Sequence, residues 1–373
     1  MIASELFFDK IQQQYNNQLP FVAYRKPQSL DLKGIFQTND TVYKVKNYKE
    51  SGFVFAPFDD SESSILIPLE HADSIDSFYS IEEGFHPGQN EFTFKELEKE
   101  LHIKLIAKGI NFIGKNIFEK VVLSRKETVT VSGSNFIQFF KNLLNYYASA
   151  FVYCWYHPKV GLWLGATPET LMKIEGHQFS MMSLAGTQEY KGTLNVDWED
   201  KEKQEQQIVT DFITSNLKPL VKNIKISDVE TVKAGNLVHL KTMIKASLNV
   251  DGFNLKHILS VIHPTPAVCG MPKQTAKRFI IENENYNREF YSGYLGELNF
   301  EQKSGPSSKL KNIENQAYTY SKRSTQLYVN LRCMQIKNNE AYIYIGGGIT
   351  KTSNPEKEWE ETVSKSKVIK NIL

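Results

Sequence analysis

Two short acidic patterns carry the densest chemistry in this 373-residue chain. Glu358, Glu361 and Lys365 stand at i, i+3 and i+7 of an expected helix, and the same face continues as Val368, Ile369 and Ile372. A second expected helix repeats the arrangement, with Glu202 and Glu205 leading into Val209, Phe212 and Ile213 on one stripe. Carboxylates aligned with an apolar face point inward, where they are costly unless a cation or hydrogen-bond donors compensate them. Two E-x-x-E pairs could together hold one hard divalent ion, directly or through water. Mg²⁺ suits such a set, because it takes few carboxylates and keeps several waters. Either pair taken singly reads equally well as ordinary charged helix surface, since 23% of the residues are charged.

Gly346-Gly347-Gly348 lies just ahead of the last helix. Without side chains there, backbone amides could come close to a ligand; the same run would also serve as a strand-ending turn. It lacks the lysine–serine/threonine pair of a phosphate-binding loop and the spacing of a dinucleotide fingerprint.

The elements that must position these residues follow from periodicity. The first hundred residues show short strands such as Gly52-Phe53-Val54-Phe55-Ala56, and a helix is expected over about 93–108. From Phe118 onward long β-rich segments dominate: strands at 120–125, 151–156 and 161–165, and a hairpin around Glu175-Gly176-His177. A helix is expected over 199–224, strands over 226–232 and 237–250, and a helix opening at Pro272. Strands over 290–300 and 327–336 follow, the latter paired with 341–345 across Lys337-Asn338-Asn339-Glu340, and the last helix begins at Asn354-Pro355. Residues 303–308 read as an exposed loop. Many long strands between few helices predict an α+β fold: large antiparallel sheets forming a central sandwich, with helices packed outside. Residues 1–104 are expected to be a less regular N-terminal part completing the fold, and 105–373 the catalytic domain.

Composition narrows the function. A net charge of +2, with basic residues dispersed, gives no basis for nucleic-acid binding. Three widely spaced cysteines, Cys154, Cys269 and Cys333, suggest a reducing compartment without a disulfide framework. No stretch of eighteen apolar residues occurs, so no membrane association is expected, and a soluble cytoplasmic monomer is the simplest expectation.

Six blocks in order then carry a resemblance: Lys120-Val121-Val122-Leu123-Ser124-Arg125, Gly165-Ala166-Thr167-Pro168-Glu169, Leu184-Ala185-Gly186-Thr187, His263-Pro264-Thr265-Pro266-Ala267, Tyr291-Ser292-Gly293, and Glu358-Trp359-Glu360-Glu361 with Lys365. Over about residues 105–373 the chain resembles the chorismate-utilising enzymes, and within them the isochorismate synthases. That resemblance implies chorismate as substrate and Mg²⁺ as cofactor. It implies Lys120 as the base that activates water and Glu169 as the acid for the departing oxygen. Glu205 and Glu361 would hold the metal, with Glu202 and Glu358 contributing directly or through water. Lys365 would sit beside the ring carboxylate, and Arg332 and Tyr291 would grip the enolpyruvyl carboxylate. Backbone at Gly346 and Gly348 would meet the substrate, although relatives more often have alanine at the position of Gly347. Thr187 and His239 are similar to residues near the ring hydroxyl, His239 in a binding or orienting role.

Three positions separate reactions within the resemblance. Ammonia-using relatives usually carry an amide-type residue where this chain has Lys120. Aminodeoxychorismate synthases commonly have lysine at the position of Ala185, and aminating and salicylate-forming relatives tend to have threonine at that of Ala267. Water is therefore the expected nucleophile, no glutamine amidotransferase subunit is expected, and isochorismate is the expected product. Salicylate synthase, which shares the lysine, and a non-catalytic chorismate- or metal-binding protein are the alternatives.

Overall fold

The computed structural model describes residues 1–81, 96–131, 135–234, 237–248, 253–303 and 321–373. Most of the loop expected at 303–308 lies outside them. Among the described residues two large sheets, one of nine strands and one of ten, are built from antiparallel pairs. The nine-stranded sheet runs from its edge at Gly270–Met271 through Lys120–Thr130, Glu340–Ile349, Cys333–Lys337, Gly161–Thr167, Phe151–His157, Phe21–Arg25 and Asp31–Gln37 to Ala72–Phe78. In the other sheet, Leu237–Leu248, Gln178–Glu189, Thr170–Glu175, Ser321–Val329, Tyr294–Lys303 and Gly52–Ala56 are successive neighbours.

An aromatic layer joins the sheets face to face. Phe55 stacks on Phe290 at 4.2 Å between ring centres and packs against Trp155 at 4.9 Å, while Phe151 stacks on Tyr328 at 4.0 Å. The strand Phe151–His157 is buried at every position, because both of its faces are covered. Phe151, Tyr153 and Trp155 enter the layer between the sheets; Val152, Cys154 and Tyr156 meet helices Ser4–Asn16 and Phe136–Tyr146 on the outer face. Helices Asp200–Leu217 and Leu255–Ile262 cover the other sheet through Val209, Phe212, Ile213, Ile258 and Leu259. The molecule is thus an α+β sandwich with helices outside.

The first eighty residues are woven into both sheets. Phe21–Arg25 pairs with Phe151–His157, and Gly52–Ala56 pairs with Tyr294–Lys303. Several boundaries differ from the sequence expectation: the run expected as one strand over 327–336 is two, Ser321–Val329 and Cys333–Lys337, in different sheets, and that over 226–232 is divided between Val221–Ile226 and Glu230–Ala234. The second acidic helix ends at Leu217, and Val221–Ile226 is a strand; Lys218 still has helical geometry, but Pro219 has no N–H to carry the helical hydrogen bonding further. Pro272 caps the helix Lys273–Asn283 from outside. Residues 290–293 form a turn, so the strand begins at Tyr294. The three cysteines are free and buried. Among the described residues no helix is long and apolar enough to cross a membrane.

Candidate active site

One cavity, about 920 Å³ including its open mouth, is lined from both sheets and both acidic helices. Lys120, Glu169, Ala185, Thr187, Glu205, His239, Ala267, Tyr291, Arg332, Gly346–Gly348, Glu361 and Lys365 all contribute to its wall. Glu202 and Glu358 do not line it.

Strand alternation aims Lys120. On Lys120–Thr130, Val121 and Leu123 enter the core beside Phe118 and Ile349, which turns Lys120 and Val122 to the cavity. The Lys120 side chain is 2% exposed. Burial lowers its proton affinity, Lys365 and Lys201 lower it further, and the Glu205 carboxylate at 4.0 Å opposes them. Glu169 lies where the chain leaves the nine-stranded sheet at Thr167 and enters the other at Thr170. Thr167 Oγ1 donates to the Val329 carbonyl at 2.6 Å, and Val329 N–H donates to the Glu169 carbonyl at 3.0 Å, which locks that crossing. The Glu169 carboxyl is 2% exposed, and burial pushes its pKa up to about 8 against the pull of Lys120. The acid of this pair is driven to keep its proton, and the amine to lose one.

A second crossing between the sheets sets the cationic end. Ser321–Val329 leads through Asn330 and Leu331 to Arg332, whose φ of 47° is in the left-handed region, and then to Cys333–Lys337. Asn330 N–H donates to the Gly293 carbonyl and Ser292 N–H to that of Asn330, at 2.8 and 2.9 Å, so the turn carrying Tyr291 is fastened to the turn carrying Arg332. Tyr291 stacks on Tyr344 at 5.5 Å. Burial lowers the Arg332 pKa to about 10, and among the described residues no carboxylate pairs with it. A desolvated guanidinium without a counter-ion is a receptor for an anion.

His239 holds that guanidinium. Arg332 can only donate, so its Nη2–H points at His239 Nε2, 2.7 Å away, and Nε2 must be the unprotonated nitrogen. Nδ1 then carries the hydrogen and donates to the Gly186 carbonyl at 2.9 Å; Thr187 Oγ1 is 3.3 Å from the same nitrogen. Burial, then Arg332, pushes the imidazole pKa down to about 3, in keeping with a neutral ring. Gly186 and Thr187 reach His239 because the pairing of Gln178–Glu189 with Leu237–Leu248 is interrupted between Ala185 and Gln188, and Gly186 takes a φ of 71° there.

The acidic wall forms where the first two turns of Asp200–Leu217 and Pro355–Lys370 meet. One helix packs on each sheet, and positive helix N-termini favour acids in these turns. Asn354 caps the last helix by accepting from Lys357 N–H at 3.1 Å, with Pro355 as its first residue. Lys365 Nζ bonds Glu361 Oε1 at 2.6 Å and donates to the Gly346 carbonyl at 3.1 Å. Burial alone would raise the Glu361 pKa, but Lys365, with Lys201 and Lys120, makes the net shift downward. Glu358 is shifted upward by burial, against the pull of Lys201, which lies 2.5 Å from Glu358 Oε1.

The wall has the donors for a hard cation. Glu202 Oε2, Glu205 Oε1 and Glu358 Oε2 are buried without a protein hydrogen-bond partner. A Cβ at Gly348 would come within 2.9 Å of Glu205 Oε1, and one at Gly347 would face Glu358 Oε2 at 3.8 Å and Glu361 Oε1 at 3.9 Å. Among the described residues no three acidic, histidine or cysteine side chains converge into a complete metal cage. All-oxygen donors, incompletely converged, fit an ion that fills its shell with water and substrate oxygens, as Mg²⁺ does.

Sequence reasoning did not single out Lys201, although it precedes Glu202 and lies one turn before Glu205. Leu184, Leu331 and Tyr344 were also missed as lining residues; in the sequence nothing separates them from core positions.

Comparison with known proteins gives the family and the fold. A family model described as "Chorismate binding enzyme" matches residues 59–305, and a second, described as "chorismate binding enzyme", matches residues 317–371. The chain belongs to the chorismate-binding enzymes. Isochorismate synthase MenF of Pasteurella multocida is 32% identical over 222 residues, which cover 56% of this chain and 46% of that protein. The chain spans about half the length of the curated relatives it matches. In fold it is similar to DhbC from Bacillus anthracis, with a TM-score of 0.75 at 20% identity over 98% of this chain and 99% of that one. Anthranilate synthase component I from Streptococcus pneumoniae also superposes, with a TM-score of 0.63 at 18% identity over 94% of this chain and 92% of that one. The shared fold therefore leaves the choice of reaction to the site residues.

Proposed function

We propose that this protein interconverts chorismate and isochorismate, with Mg²⁺ as cofactor. The observation that carries the proposal is the pair Lys120 and Glu169, buried in one cavity with proton affinities displaced in opposite directions. In this reaction water adds at C2 of the ring while the hydroxyl at C4 departs. Lys120, uncharged, takes a proton from the attacking water. Glu169, protonated, delivers one to the departing oxygen, and the ring diene carries the electron pair between the two carbons. The product is an isomer of the substrate, so the reverse reaction uses the same groups with their roles exchanged.

Arg332 and Tyr291 hold the enolpyruvyl carboxylate, and His239 fixes the guanidinium for it. Lys365 faces the ring carboxylate. Glu205 and Glu361, with Glu202 and Glu358, are the residues that would hold Mg²⁺. When bound, the ion supplies positive charge that binds the ring carboxylate and screens the dianion from the acidic wall. Ala185 and Ala267 support water as nucleophile, because neither supplies the lysine or threonine associated with the amine-forming reactions. The likeness to isochorismate synthases supports the same reading.

The test is incubation of the purified protein with chorismate and Mg²⁺ near neutral pH, followed by chromatographic separation of products. Isochorismate is expected. Salicylate and pyruvate as the dominant products would replace the assignment with salicylate formation, and bound but unconverted chorismate would mark a binding protein.

A further inference from the structure

Lys201 stands apart from the other cations around the acidic wall. Lys120 is enclosed, and Lys365 is tethered twice, to Glu361 and to the Gly346 carbonyl. Among the described residues Lys201 has one hydrogen-bond partner, Glu358 Oε1 at 2.5 Å. The two ends of that ion pair are unequal: the Lys201 side chain is 25% exposed, and that of Glu358 is 3% exposed. The carboxylate is fixed by the fold, and the ammonium has a way out to solvent on a flexible four-carbon stem. Around them, Glu205 Oε1 and the second oxygen of Glu358 are buried and unpartnered, so the wall holds more acceptor capacity than its lysines satisfy.

We propose that Lys201 is a resident counter-cation of the acidic wall, occupying Glu358 in the ion-free protein and swinging outward when a divalent ion binds. This rests on the metal reading above. Two buried acidic helix ends cannot be left uncompensated while the site is empty, because unpaired buried carboxylates oppose folding. Lys201 supplies that compensation and competes with the ion for the same acid. By linkage, whatever stabilises the ion-free wall weakens ion binding by the same factor. The lysine thereby trades metal affinity for an intact empty site.

Three measurements test this, with Mg²⁺ as the probe. In calorimetric titrations, alone and with saturating chorismate, Lys201→Met should bind Mg²⁺ about tenfold more tightly than the natural protein, within the usual range of such couplings. In chelator the same variant should melt at a lower temperature, and Mg²⁺ should raise its melting point more than that of the natural protein. Lys201→Gln gives the same comparison should the methionine variant not fold. A crystal structure of the unaltered protein with Mg²⁺ should show Lys201 Nζ moved out of bonding distance from Glu358. Equal or weaker Mg²⁺ binding by the variants, or an intact Lys201–Glu358 bond beside a bound ion, overturns the proposal and leaves the metal reading standing. No Mg²⁺ binding by any form, with or without chorismate, overturns both.

Discussion

Burial disfavours the charged form of both Lys120 and Glu169: the amine loses affinity for its proton and the carboxyl gains it. The sign of the pH dependence follows. Glu169 can donate only while protonated, so in the proposed direction kcat/KM should fall as pH rises through about 8, and the acid limb should report Lys120. The same proton links to stability: the folded state keeps it where the unfolded state releases it, so this group's stabilisation is present at acid pH and is lost as pH rises through about 8. Glu169→Gln should lower kcat by about 10²–10⁴-fold and remove the alkaline limb; a pH–rate profile unchanged in shape would take Glu169 out of the chemistry. Lys120→Gln should abolish turnover while circular dichroism and melting stay close to those of the natural protein. Turnover persisting in that variant would exclude Lys120 as the base.

At the scale of elements, the site is made by crossings and helix ends. Glu169 and Arg332 stand on two of the connections that pass between the sheets, and the carboxylates stand on the first two turns of two helices that approach from different sheets. The strand end Gly346–Gly348 forms the floor beneath them. A methyl group at Gly347 would make ordinary contacts, the nearest at 3.8 Å, whereas at Gly348 it would press to 2.9 Å from Glu205 Oε1 and 3.1 Å from Lys120 Cε. Both crowded atoms belong to side chains that can shift, so the damage should fall on geometry and spare the fold. Gly347→Ala should retain near-natural activity, while Gly348→Ala should lose about tenfold to a hundredfold in kcat/KM, the cost of misplacing reacting groups by a fraction of an ångström to an ångström. Steady-state kinetics with Mg²⁺ titration on both variants makes the comparison; equal effects would contradict this view of the floor.

At the scale of the whole molecule, the sandwich behaves as one core. Phe55 comes from the first eighty residues, yet it packs against Trp155, Trp163 and Phe290 from distant segments. Phe55→Ala should cost about 3–5 kcal/mol of stability, read as a shifted midpoint of one cooperative denaturant transition. Two separate transitions, one unaffected by the substitution, would show that the N-terminal strands are an independent unit. The buried network beneath the last helix points the same way: Arg125 lies 4.4 Å over the Trp359 ring and its Nε–H donates to Thr362 Oγ1 at 2.8 Å, tying the last helix to the strand that carries Lys120.

The sequence by itself determined the local patterns: period-2 runs that became strands, the stripes that turn Glu205 and Glu361 inward, the Asn354–Pro355 helix start, and the ordered blocks that group the candidate residues. These were legible because each depends on residues within a few positions of one another. Pro219 was equally legible and was passed over, which is why the second acidic helix was drawn too long. What only the tertiary structure decided depends on long-range pairing: the place of the N-terminal strands in both sheets, the Arg332–His239–Gly186 chain, and the meeting of Lys201 with Glu358. Spacing along the chain fixes which face a side chain takes, but which distant face it meets, and how much water remains between them, is settled by the packing of the whole sandwich. Desolvation and charge pairing displace the proton affinities of Lys120 and Glu169, and both arise only in the folded protein.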